Sequence, residues 1–201
     1  MTTIEYAETV SEPTRVQRWS HFLTMASIIL MFLYGLSLRQ GILEASTLYE
    51  NAQVGITANY PANWLLDESN DLYVFRVRDM SRIGYKTTIQ IAIEPIGPTT
   101  TPQNVLNFLA LRRSTQLAQY NTLSIGSTEQ QDLGILPSMT YFFTTSSNDA
   151  ALEILPTVVV GRDVLFLLRG QAIIATFRAN AATFQDDEAV FDRFLNTLEL
   201  E

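Results

Sequence analysis

The chain of 201 residues has no cysteine, one histidine and one lysine. Without thiols there is no disulfide, no thiolate nucleophile and no cysteine-ligated zinc or iron–sulfur site. The histidine, His21, lies inside an apolar run, so the rest of the chain lacks both the commonest general base and the commonest transition-metal ligand. The lysine, Lys86, follows Tyr85, and Ile83 stands where a Ser-x-x-Lys nucleophile would place its serine. No Gly-rich phosphate loop, Walker A pattern or nucleophile elbow is present. Basic charge is also scarce. From Ala45 onward 17 acidic residues stand against 10 basic ones, a net charge near −7. Such a surface repels the phosphates of nucleic acid and of anionic lipid. These absences point away from an enzyme and predict neither cofactor nor metal.

What the chain does have, near its start, is a run of 20 residues without charge, Trp19 to Leu38. At ~1.5 Å per residue a helix of that length spans about 30 Å, the thickness of a bilayer's hydrocarbon core. The segment before it mixes Glu5, Glu8 and Glu12 with Arg15 and Arg18, unlike the basic start of a signal peptide, and "SLRQGILEAS" after it is a weak cleavage site. The pattern therefore predicts a retained single-pass anchor. Its parts are a polar tail over 1–18, a transmembrane helix over 19–38, a connector over 39–51 and an extracytoplasmic domain over 52–201. Arg15 and Arg18 before the helix outnumber Arg39 after it, which puts the N-terminus in the cytoplasm. The domain then lies in periplasm, cell exterior or a lumen. Trp19 and Tyr34 suit the interfacial belts, and His21 the headgroup level. Ser20, Thr24, Ser27 and Gly35 offer a small-residue face for a neighbouring membrane helix.

Beyond the connector, short β-type runs alternate with turn signals. "QVGITANYP", "LYVFRVR" and "TTIQIAIEP" read as strands. "TPQNVLNFLALRRSTQLAQY" reads as a helix with Thr101 as N-cap and Pro102 at its first position, and Val105, Leu106, Leu109, Leu117 and Tyr120 inward. Strands follow at "LSIGSTEQQ", "SMTYFFTTS", "LEILPTVVV", "DVLFLLRG" and "QAIIATFRA", with tight turns placed at Gly161–Arg162 and Arg169–Gly170. A closing helix in "TFQDDEAVFDRFLNTLEL" turns Ala189, Val190, Phe194 and Leu198 inward. The order predicts an α+β fold, an antiparallel sheet flanked by helices.

The stretch "YENAQVGITANYPANWLLDESNDLYVFRV", with Gly55, Tyr60, Pro61 and Trp64 in a Gly…Tyr-Pro-x-x-Trp pattern, resembles the opening of the PsbP-like fold. "IIATFRANAATFQDDEAVFDRFLNTLEL" is similar to the closing strand and helix of that group. The resemblance covers most of residues 49–201 and rests on packing motifs. It implies a single antiparallel sheet sandwiched by helices, and a domain that binds a larger partner without catalysis. Members of the group include an extrinsic photosystem II subunit and a protein that binds a nuclear-transport GTPase. This sequence departs from the group in carrying an anchor and in lacking a histidine in the domain, so a role in oxygen evolution does not carry over.

Candidate sites are few. Asp67, Ser69 and Asp71 are spaced like the start of an EF-hand loop, but Leu72 and Arg78 replace the required Gly and Glu, which leaves a solvated turn. Gln185 to Glu188, with Glu153 or Asp192, could gather a cation, but carboxylates in a first helical turn are expected from the dipole alone. Arg112 and Arg113 are adjacent on a helix and point about 100° apart, so at least one faces solvent or a partner. The combination predicts a non-catalytic accessory subunit of a larger membrane complex, possessing other transmembrane subunits and the bilayer as partners. The alternative is a free-standing anchored module for a small ligand or envelope component, with a pocket lined by Trp64, Tyr73, Tyr141 and Phe143. An enzyme of carboxylate chemistry would instead need two carboxylates converging in a cleft.

Overall fold

Charge-free residues from Trp19 onward leave backbone hydrogen bonding as the chief local constraint, and the chain there winds into one long helix, α1 (Arg15–Leu43). The computed structural model describes residues 14–43, 45–67, 72–130, 133–145 and 156–200. These fall into two compact units, Met1–Ala45 and Ser46–Glu201, each described by itself. Within the first, Arg15–Arg39 is long and apolar enough to cross a membrane, at a mean hydropathy of 1.8, with none of that window buried. The helix overruns the expected 19–38 at both ends. Most of the tail expected over 1–18 lies outside the described residues. The stretch read as a connector is helix to Leu43 and strand from Ser46.

The second unit is α+β. Its strands are β1 (Ser46–Asn51), β2 (Ile56–Pro61), β3 (Leu65–Leu66), β4 (Phe75–Arg78) and β5 (Thr88–Pro95), followed by helix α2 (Pro102–Gln116). Then come β6 (Ala118–Gln130), β7 (Gly134–Thr145), β8 (Thr157–Leu168), β9 (Gln171–Asn180), helix α3 (Phe184–Asn196) and β10 (Glu199–Leu200). Seven strands form one antiparallel sheet in the order β3-β4-β5-β9-β8-β7-β6, and β1-β2-β10 form a second, small sheet. The second sheet was not expected: β10 is two residues long, too short for a periodic signal.

Helix α2 starts as its residues dictate, with Pro102 in the first turn and the Thr101 side chain accepting from the Asn104 N–H. It stops at Gln116, earlier than the apolar spacing suggested, because Leu117 turns extended (φ −110°, ψ 135°) and Gln119 takes a left-handed φ of 50° at a bulge in β6. Leu117 and Tyr120 still pack against the α2 core, but from outside the helix. The turn at Gly161–Arg162 does not exist: both residues lie mid-strand in β8. The turn at Arg169–Gly170 does, with φ of 51° and 79° at its two residues, the mirror-image turn that matches strand twist. "LEILP" before Thr157 lies largely outside the described residues.

The large sheet separates two cores. On one face α3 packs Phe191, Phe194 and Leu195 against Phe75, Ile89, Ile91 and Phe177. Phe191 stacks on Phe177 at 5.3 Å and Phe194 on Phe75 at 5.5 Å, each at 12°. Phe191 and Leu195, not Ala189, make the inward face of α3, and Ala189 is exposed. On the other face α2 sets Val105, Leu106 and Leu109 against Met139, Tyr141, Leu165 and Ile174. Strands β8 and β9 take part in both cores; β9 alternates Ile173, Ala175 and Phe177 with Ala172 and Ile174, so it is largely apolar. The polar residues between the ends of β9, Thr176 and Arg178, fall on the α2 face, where the candidate site lies.

Candidate functional site

On the α2 face, Tyr141 of β7 pairs across the sheet with Gly161 of β8. The ring lies against the glycine so closely that a Cβ there would fall 2.3 Å from Tyr141 Cζ. Gly161 thus permits a close approach and has no role in turning the chain. The ring's hydroxyl accepts from Arg113 Nη1 at 2.6 Å and from Arg178 Nε at 3.1 Å. Arg113 Nη2 donates to Asp163 Oδ1 at 2.8 Å and to Thr176 Oγ1 at 3.2 Å. Helix α2, β7, β8 and β9 each contribute to this network, and strand pairing sets its spacing. Residues Arg76, Gln90, Thr176 and Asp163 form one cross-strand row, and Arg78, Thr88, Arg178, Gly161 and Tyr141 the next.

Two guanidiniums therefore flank one fully buried carboxylate, Asp163. Asp163 pairs with Arg113. Among the described residues Arg178 makes no salt bridge. It rests on the Tyr141 hydroxyl, with its guanidinium 5.7 Å from the centre of the Phe143 ring. Burial pushes the Tyr141 hydroxyl up to about 12, against the pull of Arg178, and it raises Tyr85 as well. Burial works to lower the pKa of Arg178, but Tyr141, Tyr85 and Asp163 outweigh it and the net shift is upward. An arginine side chain stays charged at any physiological pH.

This network forms one wall of a cleft of about 610 Å³ between α2 and the β4, β5 and β9 part of the sheet. Arg113, Thr176 and Arg178 line its inner side, and Arg76 and Arg112 its flanks. Glu94, which pairs with Arg112 at 2.5 Å, is the only carboxylate in the lining among the described residues. Arg76 is paired with Asp67, which also accepts from Arg78 at 3.1 Å. Four guanidiniums thus line one cleft in a chain of net charge −8.

The residues singled out in the sequence are scattered. Arg112 is on the surface, but Arg113 is 6% exposed and engaged within its own domain, so it is not the outward-facing half of a pair. The aromatic pocket is not formed. Trp64 belongs to the α3 core and Tyr141 and Phe143 to the α2 core, on opposite sides of the sheet, and of the four only Tyr73 lines the cleft. Asp67 serves Arg76 and Arg78, while Ser69, Asp71 and Glu153 lie outside the described residues. Around Gln185–Glu188, Asp187 is buried and bound to Arg82, Thr87 and Thr183, and Glu188 and Asp192 both engage Arg162, at 2.7 and 3.1 Å. No group of three or more His, Cys, Asp or Glu that could hold a metal exists among the described residues. Lys86 donates to the carbonyls of Arg82 and Met80, closing the loop between β4 and β5. In α1, Ser20, Thr24, Ser27 and Gly35 are all exposed or nearly so, with Thr24 Oγ1 donating to the Ser20 carbonyl at 2.9 Å. Arg15, Arg18, Trp19, His21, Tyr34 and Arg39 lie along the same helix.

No protein-family model matches the chain. No curated protein sequence matches it either. Solved structures do. Cyanobacterial PsbP (CyanoP) from Synechocystis sp. PCC 6803 superposes with a TM-score of 0.55 at 12% identity, over 78% of this chain and 93% of its own. LpqN, involved in cell envelope biogenesis of Mycobacterium tuberculosis, gives 0.52 at 12%, over 78% and 90%. The Saccharomyces cerevisiae Ran-binding protein Mog1p gives 0.50 at 11%, over 78% and 95%. The domain has the PsbP-like fold.

Proposed function

We propose that the protein is a non-catalytic accessory subunit of a larger membrane complex, held by α1 as a single-pass anchor with its N-terminus in the cytoplasm. One observation carries the reading. The large apolar side chains of α1, from Trp19 and Phe22 through Ile28, Met31 and Tyr34 to Leu38, are exposed around its whole circumference. In water such a surface is untenable, and lipid or other membrane helices are the media that cover it. The polar Thr24 already bonds within its own helix, as a polar group in a hydrocarbon layer must. Ser20, Thr24, Ser27 and Gly35 form the face on which a neighbouring helix packs, and Arg15, Arg18, Trp19, Tyr34 and Arg39 set the depth.

The domain supports the same conclusion. Several of its carboxylates are engaged by arginines of the same domain: Asp163 by Arg113, Asp187 by Arg82, Glu188 and Asp192 by Arg162. Of the structural neighbours, Mog1p is described as Ran-binding and LpqN as part of envelope biogenesis. Protein binding at a membrane surface is the role that combines these features. Native purification from membranes in mild detergent tests it, with co-migrating chains identified by mass spectrometry. Co-migration that is lost on Ser27→Leu and Gly35→Leu substitution is the expected result; a protein that migrates alone refutes the reading.

A further inference from the structure

We infer that the cleft between α2 and the β4–β5–β9 surface binds a small molecule bearing carboxylate or phosphate groups. The site lies apart from the helix on which the proposed subunit role rests. Its chemistry starts from an imbalance of charge. Arg113 is buried and Arg178 half-buried beside a single carboxylate, Asp163, and a buried cation is costly unless an anion faces it. Hydroxyls of Tyr141 and Thr176 take up part of the donor capacity. They carry no charge, so the excess positive charge persists. The Nε atoms of Arg76 and Arg113 have no acceptor among the described residues, so the layer is not fully satisfied from within.

The cleft's form matches this charge. Helix α2 packs chiefly on β6, β7 and β8, and toward β4, β5 and β9 a gap remains, so that Arg76, Arg112 and Arg178 line a common space of about 610 Å³. That volume lies in the range of small-molecule sites, about 300 to 1,000 Å³. Guanidiniums present paired N–H groups in the planar spacing of carboxylate and phosphate oxygens. The inner tier, Arg113 and Arg178, is preorganised by Tyr141 and Asp163. The outer tier, Arg76 and Arg112, is half-exposed and bound to Asp67 and Glu94, bridges that an entering anion replaces or joins. Phe108 flanks Arg112 and supplies apolar surface for the body of the ligand. Four of the domain's ten basic residues line this one space, against one carboxylate, in a domain that is otherwise acidic.

Calorimetric titration of the full-length protein in detergent micelles, with pyrophosphate and with citrate at low ionic strength, tests the assignment. Saturable binding of at least one anion is expected, weakened about tenfold by Arg112→Gln and by Arg178→Gln, since each removes a charge-assisted bond. Arg169→Gln, on the β8–β9 turn outside the lining, leaves affinity unchanged. If Arg178→Gln loses its near-ultraviolet dichroism, the surface variant Arg112→Gln decides the matter. Absence of saturation by both anions overturns the assignment, as does equal affinity in wild type and Arg112→Gln. Binding of a hexaglutamate peptide with neither small anion bound also overturns it, in favour of an acidic protein segment. Failed titrations with co-migration intact refute this site alone, and bound anion without co-migration refutes the subunit role alone.

Discussion

The two faces of the large sheet treat charge in opposite ways. Under α3 the arginines are outnumbered: Arg82 meets Asp79 and Asp187, and Arg162 meets Glu188 and Asp192. The interior there is a stack of phenylalanines, and polar groups are confined to its borders. Under α2 the arginines are in excess, and they reach the sheet because the helix covers only one half of it. The first face is built to be closed. The second keeps an unbalanced, preorganised layer at the edge of a cleft, an arrangement that natural proteins retain where it serves a purpose other than stability.

Substitutions on each side can break or sharpen this contrast. The largest effects are expected from Phe191→Ala and Asp163→Asn, about 3 to 5 kcal/mol each by urea unfolding, one from a cavity and the other from a stranded charge. Their reversibility distinguishes them. Arg113→Met combined with Asp163→Leu recovers much of the second loss, because an apolar pair of similar volume replaces the ion pair, whereas no polar change restores the stack. Equal costs in the single and double variants would contradict the charge account. Gly161→Ala comes next, at about 1 to 3 kcal/mol, since its methyl group displaces the Tyr141 ring. That change should also disperse the arginines and be read as weakened anion affinity.

A pH series gives a smaller signal. The folded pKa of Tyr141, about 12, stands above the ordinary value of 10.0, so the folded state holds this proton more tightly than the unfolded chain. The resulting stability is complete below pH 10 and lost as pH rises through about 12. The stability gap between wild type and Tyr141→Phe should therefore narrow across that window; a constant gap would show that the hydroxyl does not carry the effect. Smallest is Glu94→Gln. It frees a partly exposed Arg112 and should change stability by less than about 1 kcal/mol while strengthening anion binding.

The long apolar run, the α2 cap, the Arg169–Gly170 turn and the α+β order were legible because each depends on local composition or period. The network was not, because it depends on what a strand places beside its neighbours. Gly161 has the composition of a turn, and its reason for being there, the Tyr141 ring, lies 20 residues earlier in the sequence. Which of Arg112 and Arg113 faces outward was left open, because helical spacing gives direction but not depth. A signal did exist. Arg162 and Asp163 are adjacent charges inside the apolar run "TVVVGRDVLFLL", and alternation sends them to opposite faces of a strand buried on both sides. In "QAIIATFRAN", Thr176 and Arg178 are two apart, which puts both on one face of the strand. Polar side chains inside otherwise apolar strands mark a buried polar layer.

The small sheet has a mechanical meaning. Residue Ser46 is where the domain's first strand begins, directly after the unit that contains α1, and β1 holds to β2 through six paired positions. Strand β2 in turn takes β10 at Thr57 and Ile56, and its Asn59 N–H donates to the Thr197 hydroxyl at 3.0 Å. With α1 as the anchor proposed above, tension on it is borne first by the β1–β2 pairing and then, through Tyr49 of β1, which packs on Phe75 at 4.7 Å and donates to the Val74 carbonyl at 3.1 Å, by the edge of the seven-stranded sheet. Arg76 of the cleft follows Phe75 on the same strand, so a pull on the anchor is transmitted to the rim of the arginine cleft.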